Sequence, residues 1–276
     1  MRQADSLAKQ SEGGIMLRVG ELFAGIGGMG LGLSRVKKQD GNPAFDVAWQ
    51  VELEPYCQRV LEKHWPDVRR WDDIKTFPPQ GPIDEWSVDM VAGGFPCPTV
   101  SHAGRRRGDQ DERWLWPEMR RVCEVIQPRW VLVENVIGLL SAGHVRGELF
   151  GGILRDLAAI GYGHIEWHSI SAAQCGACHV RPRIWVLAHS AGQRQPGPGE
   201  PIHASDPTPI ITREAVDALH GRFARQWEIE PRVGRVADGI PDRLQRLTAL
   251  GNAVVPQVVQ FIGEQIVARE EARAER

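Results

Sequence analysis

The chain predicts an α/β fold, a doubly wound sheet with helices on both faces. Two observations carry this. Short apolar runs alternate with helix-period segments up to about residue 189, the pattern of strands joined by crossover helices. The first apolar run ends in a glycine-rich turn, Phe23-Ala-Gly25-Ile-Gly27-Gly28. In such sheets ligands bind at the carboxyl ends of the strands.

The elements follow in order. Residues 16–23 (MLRVGELF) read as a strand running into AGIGGMGLGL. Residues 47–51 form a second strand, a helix follows over Pro55–His64, and a third strand ends near Asp72. Residues 88–92 are the next strand, 117–126 a helix, 130–133 a strand, 145–160 an amphipathic helix and 184–188 a strand. From 190 to 243 the chain is irregular and Pro/Gly-rich, and all its basic residues apart from histidine are arginine. A Gly251-Asn252 turn then leads into a C-terminal helix, and the tail EEARAER is solvated. The boundaries are a polar extension over 1–15, a ligand-binding and catalytic domain over 16–189, a separate region over 190–243 and a returning segment over 244–276.

Length and charge exclude several classes. At 276 residues the chain buries a full core as one large domain, or as one large and one small. The formal net charge of -2 gives no global basic field, so a nucleic-acid site must be a local patch. No apolar run approaches the roughly 20 residues that span a bilayer, and the first 16 residues lack a secretory segment. A cytoplasmic protein with five reduced cysteines is expected. Cys175-Gly-Ala-Cys178-His179 has the spacing of a haem attachment site, but that chemistry needs export. No second Cys/His pair completes a zinc set, so no metal is expected.

The remaining motifs carry chemistry. Cys97 lies in GGFPCPTVS after a strand, on a proline-bounded loop that presents its thiol. The glycines after the first strand allow close backbone approach to a ligand and open a helix whose N-terminus favours negative charge. Glu52 follows the second strand, where a carboxylate grips ribose hydroxyls. Asp73 is placed to accept from an adenine amino group, with Ile74 against the ring. Glu134 follows the strand WVLV, and desolvation there would raise its pKa toward neutrality. Arg181 and Arg183 are two apart on an extended segment, so both could reach one anionic site. Alone, each has a blander reading: a packed thiol, a solvated helix start, a cap, an exposed basic loop.

Together and in this order, the segments resemble the DNA (cytosine-5) methyltransferases, over roughly 16–266. LFAGIGGMGLGL looks like the cofactor loop, VELEPYCQRVLEKHWP the ribose segment and DDI the adenine segment. GGFPCPTVSHAGRRRG resembles the nucleophile loop, VLVENV the acid strand, HVRPRIWVLA the paired-arginine segment and RLTALGNAVVPQV the closing cofactor segment. The resemblance implies a Rossmann-like mixed sheet, with 190–243 as a small target-recognition region in which Trp227 is either a groove contact or a core anchor. It implies S-adenosylmethionine as cofactor, held by Phe23, Gly25, Gly27, Gly28, Glu52, Asp73, Ile74, Pro96 and Asn252. Cys97 would attack C6 of a flipped-out cytosine, and Glu134 would stabilise its protonated N3. Arg181 and Arg183 would hold base and phosphate and favour the Cys97 thiolate. Ser101, Arg105, Arg106 and Arg107 would meet phosphates of duplex DNA. A monomer is expected, with any cognate restriction endonuclease acting separately. Pro98 stands where the family usually has Gln, and His179 where its arginine segment usually begins with Gln. The rival readings are a tRNA cytosine-5 methyltransferase, a catalytically silent DNA-binding relative and, more remotely, a nicotinamide oxidoreductase.

Overall fold

The computed structural model describes residues 16–79, 82–97, 112–143, 145–190, 208–219, 222–223 and 241–274. The strands are β1 (Leu17–Leu22), β2 (Phe45–Val51), β3 (Arg69–Trp71), β4 (Met90–Gly93), β5 (Trp130–Val136), β6 (His164–Ser171) and β7 (Pro182–His189). They form one sheet in the order β3-β2-β1-β4-β5-β7-β6. β1 to β5 pair in parallel, and β7 runs antiparallel between β5 and β6. The helices are α1 (Gly28–Ser34), α2 (Pro55–His64), α3 (Trp116–Ile126), α4 (Glu148–Ala159), α5 (Arg213–Asp217), α6 (Arg243–Asn252) and α7 (Pro256–Ala274).

The two faces of the sheet bury separate cores, as a period-2 strand requires. On one face Val91, Val131, Val133, Ile184 and Val186 meet Met119 and Val122 of α3 and Ile153 and Leu157 of α4. On the other, Val19, Met90, Leu132 and Leu187 meet Leu33 of α1 and Val259, Phe261 and Ile262 of α7. Central strands covered on both sides read as near-continuous apolar runs, which is why β4 and β5 are legible in the sequence. Trp49 is fully buried and leans over Gly20, where a Cβ would lie 2.0 Å from its ring. Its Nε1 donates to the Trp86 carbonyl at 3.0 Å, satisfying the one polar atom of the indole.

Three sequence expectations need correction. β6 was not anticipated: as an edge strand it carries His164, Glu166 and His168, so it lacks an apolar run. β5 does not stop at Val133, because β7 pairs with it antiparallel through Glu134, Asn135 and Val136. Gly251 and Asn252 do not form a turn leading into a helix. They close α6, since the Ala253 N–H still bonds the Ala249 carbonyl, and α7 begins afresh at Pro256. Proline, lacking an N–H, suits a first helical position.

Candidate active site

Strand register brings the predicted residues to one edge. Leu22 pairs with Val51 and with Gly93, Val51 with Trp71, and Gly93 with Val133. The next residue on each strand is Phe23, Glu52, Asp72, Gly94 and Glu134 respectively. Five chain segments far apart in sequence thus reach the carboxyl edge at one level, the crevice of an open α/β sheet.

The glycine loop is held from both sides. Phe23 adopts φ 54, unusual for an aromatic residue, and Ala24 donates to the Val51 carbonyl at 3.0 Å. Glu52 accepts from the Gly25 N–H at 2.6 Å and the Glu54 N–H at 2.8 Å. Its pKa is raised, chiefly by burial. The glycines, grouped together in the sequence reading, separate here. A Cβ on Gly25 would meet nothing within 4 Å, whereas one on Gly27 would lie 2.4 Å from the Trp65 ring and one on Gly28 2.7 Å from Val254. Gly25 therefore leaves open space for a ligand, while Gly27 and Gly28 admit neighbouring side chains. Trp65 and Val254 had no signal of their own in the sequence.

After β3, Asp73 accepts from the Lys75 N–H at 2.9 Å and caps the short helix Ile74–Thr76. That is the cap reading of this motif. Ile74 is buried in the core with Trp49 and Phe77. Asn252, at the end of α6, is exposed.

The end of β5 and the segment after β4 meet directly. The Asn135 amide donates to the Phe95 carbonyl at 3.0 Å, and a Cβ on Gly94 would lie 2.9 Å from Glu134 Oε2. These contacts hold Gly94 and Phe95, just before Cys97, against Glu134 and Asn135. Pro96 is exposed, and Cys97 is half-buried and packs against the same core as Phe23. None of the five cysteines is in a disulfide. Burial pushes the Glu134 carboxyl up to about 7, against the pull of Arg183 and Arg181. Arg183 Nε lies 3.0 Å from Glu134 Oε1. The pairing explains this: Arg183 sits opposite Val136, so Glu134 is its diagonal neighbour on the same face.

Arg181 also acts on Glu134 through its charge, but its hydrogen bonds go elsewhere. Its backbone turns to φ 36, which breaks the extended segment. Its Nη2 donates to the Gly251 and Ala253 carbonyls, both at 2.6 Å. Pro98, Ser101, Arg105, Arg106, Arg107 and Trp227 lie outside the described residues. Among the described residues no cluster of His, Cys, Asp and Glu could hold a metal ion, and no helix is long and apolar enough to cross a membrane.

Sequence reasoning also passed over Glu21, a fully buried carboxylate in β1. It accepts from the Gly30 N–H at 2.5 Å and the Gln50 amide at 2.6 Å, tying α1 to the sheet. Burial pushes its pKa up to about 7. A carboxylate inside an apolar strand was the available signal.

Residues 17–219 match the profile of the C-5 cytosine-specific DNA methylase family. The chain belongs to that family. It is 34% identical over 172 residues to the type II methyltransferase M.NgoMIV of Neisseria gonorrhoeae, covering 61% of this chain and 50% of that protein. It is 32% identical over 176 residues to M.NaeI of Lentzea aerocolonigenes, covering 62% and 40%. The chain thus spans half or less of the length of these relatives. Among solved structures, a prophage-encoded DNA modification methyltransferase of E. coli superposes with a TM-score of 0.61 at 17% identity, covering 93% of this chain and all of that one. The methyltransferase EhMeth of Entamoeba histolytica gives 0.58 at 13% identity, covering 93% and 99%. At these identities the likeness concerns the fold, a mixed seven-stranded sheet.

Proposed function

We propose that this family member methylates C5 of cytosine in duplex DNA, with S-adenosylmethionine as methyl donor and Cys97 as covalent nucleophile. One observation carries the reading: a buried carboxyl, Glu134, titrating near neutrality, held by Arg183 and set against the loop that presents Cys97.

The chemistry asks for that arrangement. C6 of cytosine is a poor electrophile until N3 is protonated or hydrogen-bonded. A carboxyl with a pKa of about 7 is partly protonated at neutral pH and can donate there. Addition of the Cys97 thiolate to C6 moves the electron pair toward C5, which becomes nucleophilic. C5 would then bond to the methyl carbon as the methyl–sulfonium bond of the donor breaks and its thioether departs, and loss of the C5 proton to a base with departure of the Cys97 thiolate restores the ring. The reacting carbon is closed off inside a duplex, so the base must be flipped out, at a cost of a few kcal/mol.

The cofactor fits the residues present. Gly25 leaves space beside the loop, and Glu52 holds that loop with a half-buried carboxylate. Glu52 would take the ribose hydroxyls, Phe23 and Gly25 would border the methionine end, Asp73 and Ile74 the adenine, and Pro96 and Asn252 the reactive end. Bound there, S-adenosylmethionine supplies an electrophilic methyl group. The protein acts as a monomer, with 190–243 supplying target recognition and Ser101 and Arg105 to Arg107 meeting phosphates.

A duplex carrying 5-fluorocytosine at many sites, mixed with the protein and S-adenosylmethionine, tests this reading. Fluorine cannot leave C5 as a proton, so the enzyme traps itself on its substrate. The expected result is a denaturant-resistant adduct mapped to Cys97 and absent from Cys97→Ala. An adduct on fluorinated tRNA and none on DNA would make RNA the substrate. No adduct on either, with cofactor bound, would refute covalent methyl transfer.

A further inference from the structure

Arg181 contacts neither Glu134 nor the nucleophile loop through any hydrogen bond seen among the described residues. Instead one of its terminal nitrogens donates to the two carbonyls that flank Asn252, those of Gly251 and Ala253. Two residues on, Val254 packs against Gly28 at the start of α1, so closely that an added Cβ would lie 2.7 Å from Val254 Cγ2 and 3.2 Å from its carbonyl oxygen. Val254 and Val255 also pack against the core beneath α1 and α7. The turn between α6 and α7 is therefore fixed at two points, by the guanidinium and by the wall of the glycine loop. α6 itself supplies little anchorage: Ala249 is its one buried residue, and Leu244, Leu247 and Leu250 are exposed.

Two further features mark Arg181 as held for this contact. It keeps φ 36, a left-handed conformation that a side-chain-bearing residue retains only when its surroundings over-determine it. Its Nε is buried without a hydrogen-bond partner, so the hydrogen bonds seen from its guanidinium are the two to these carbonyls. A guanidinium presents its donors in a rigid fork that can serve two acceptors at once.

We infer that Arg181 is a positioning residue for the cofactor side of the site: it clamps the Gly251–Ala253 turn, and through Val254 the wall of the glycine loop, while the direct ion pair with Glu134 is made by Arg183. The inference rests on the proposed function for the identity of the cofactor. It assigns Arg181 a task different from holding base or phosphate.

The experiment uses the full chain as wild type, Arg181→Ala and Arg181→Lys. Affinity for S-adenosylmethionine is measured by calorimetry without DNA, affinity for a cytosine-containing duplex by fluorescence anisotropy, and amide exchange across residues 249–259 by mass spectrometry. The clamp predicts that Arg181→Ala weakens cofactor binding at least about tenfold without DNA and speeds exchange in 251–255. Lysine, able to reach one carbonyl, restores part of both. Cofactor affinity within about twofold of wild type, with duplex affinity lost, would overturn the inference and make Arg181 a phosphate contact. Should the alanine variant not fold, the lysine variant decides: a rise of about threefold or more in cofactor Kd supports the clamp, and an unchanged value overturns it. If wild type binds no S-adenosylmethionine, the functional reading fails, and the exchange data alone decide the clamp.

Discussion

Replacing Glu134 by Gln removes one titration and preserves the side chain's shape. In the folded protein the carboxyl is raised from 4.5 to about 7. A group raised on folding contributes stability that is fully present below its unfolded pKa and lost as pH rises through the folded one. At about 1.4 kcal/mol per unit, the shift is worth roughly 3–4 kcal/mol, most of which falls between pH 5 and pH 8. Wild type should therefore lose about 2–3 kcal/mol relative to Glu134→Gln across that interval. Glu21 also titrates near 7 but is present in both proteins, so it cancels in the difference. The partner that Arg183 loses adds an offset that does not change with pH in this range. Urea unfolding of both proteins at several pH values measures the difference. A difference constant within about 0.5 kcal/mol would show that Glu134 is already ionised at pH 5. The acid proposed to serve N3 would then be missing.

Two further outcomes are expected. Gly27→Ala adds a methyl 2.4 Å from Trp65 at a residue with φ 81, so the variant should melt several degrees lower and bind S-adenosylmethionine more weakly. An unchanged melt would mean that Trp65 swings aside freely. Glu166 accepts from the Ile210 and Ile211 N–H groups at 2.9 and 3.0 Å, and these contacts with those of His164 and His168 bring its pKa down to about 2 despite burial. Its stabilisation is present above the unfolded pKa and lost as pH falls toward 2. Glu166→Gln should cost about 1–3 kcal/mol at neutral pH and speed amide exchange in residues 210–216. Unaltered exchange there would show that the segment is held by its apolar contacts alone.

Sequence by itself determined the alternation of elements, because central strands buried on both faces must be apolar and turns must contain glycine or proline. It also determined which residue types stand at the strand ends: Phe23, Glu52, Asp73, Cys97 and Glu134 are legible as chemistry at fixed offsets from recognisable strands. Tertiary structure alone decided what those groups do to one another. The raised pKa of Glu134 comes from its burial, and its 3.0 Å contact with Arg183 from an antiparallel pairing that no local pattern announces. The open face of Gly25 and the filled ones of Gly27 and Gly28 depend on Trp65 and Val254, the latter more than 200 residues away in the chain. β6 escaped notice because an edge strand need not be apolar. The two arginines look alike in sequence, yet Arg181, at φ 36, bonds the Gly251 and Ala253 carbonyls while Arg183 pairs directly with Glu134. Periodicity records which face a residue buries, while desolvation, register and backbone handedness arise only when distant segments meet.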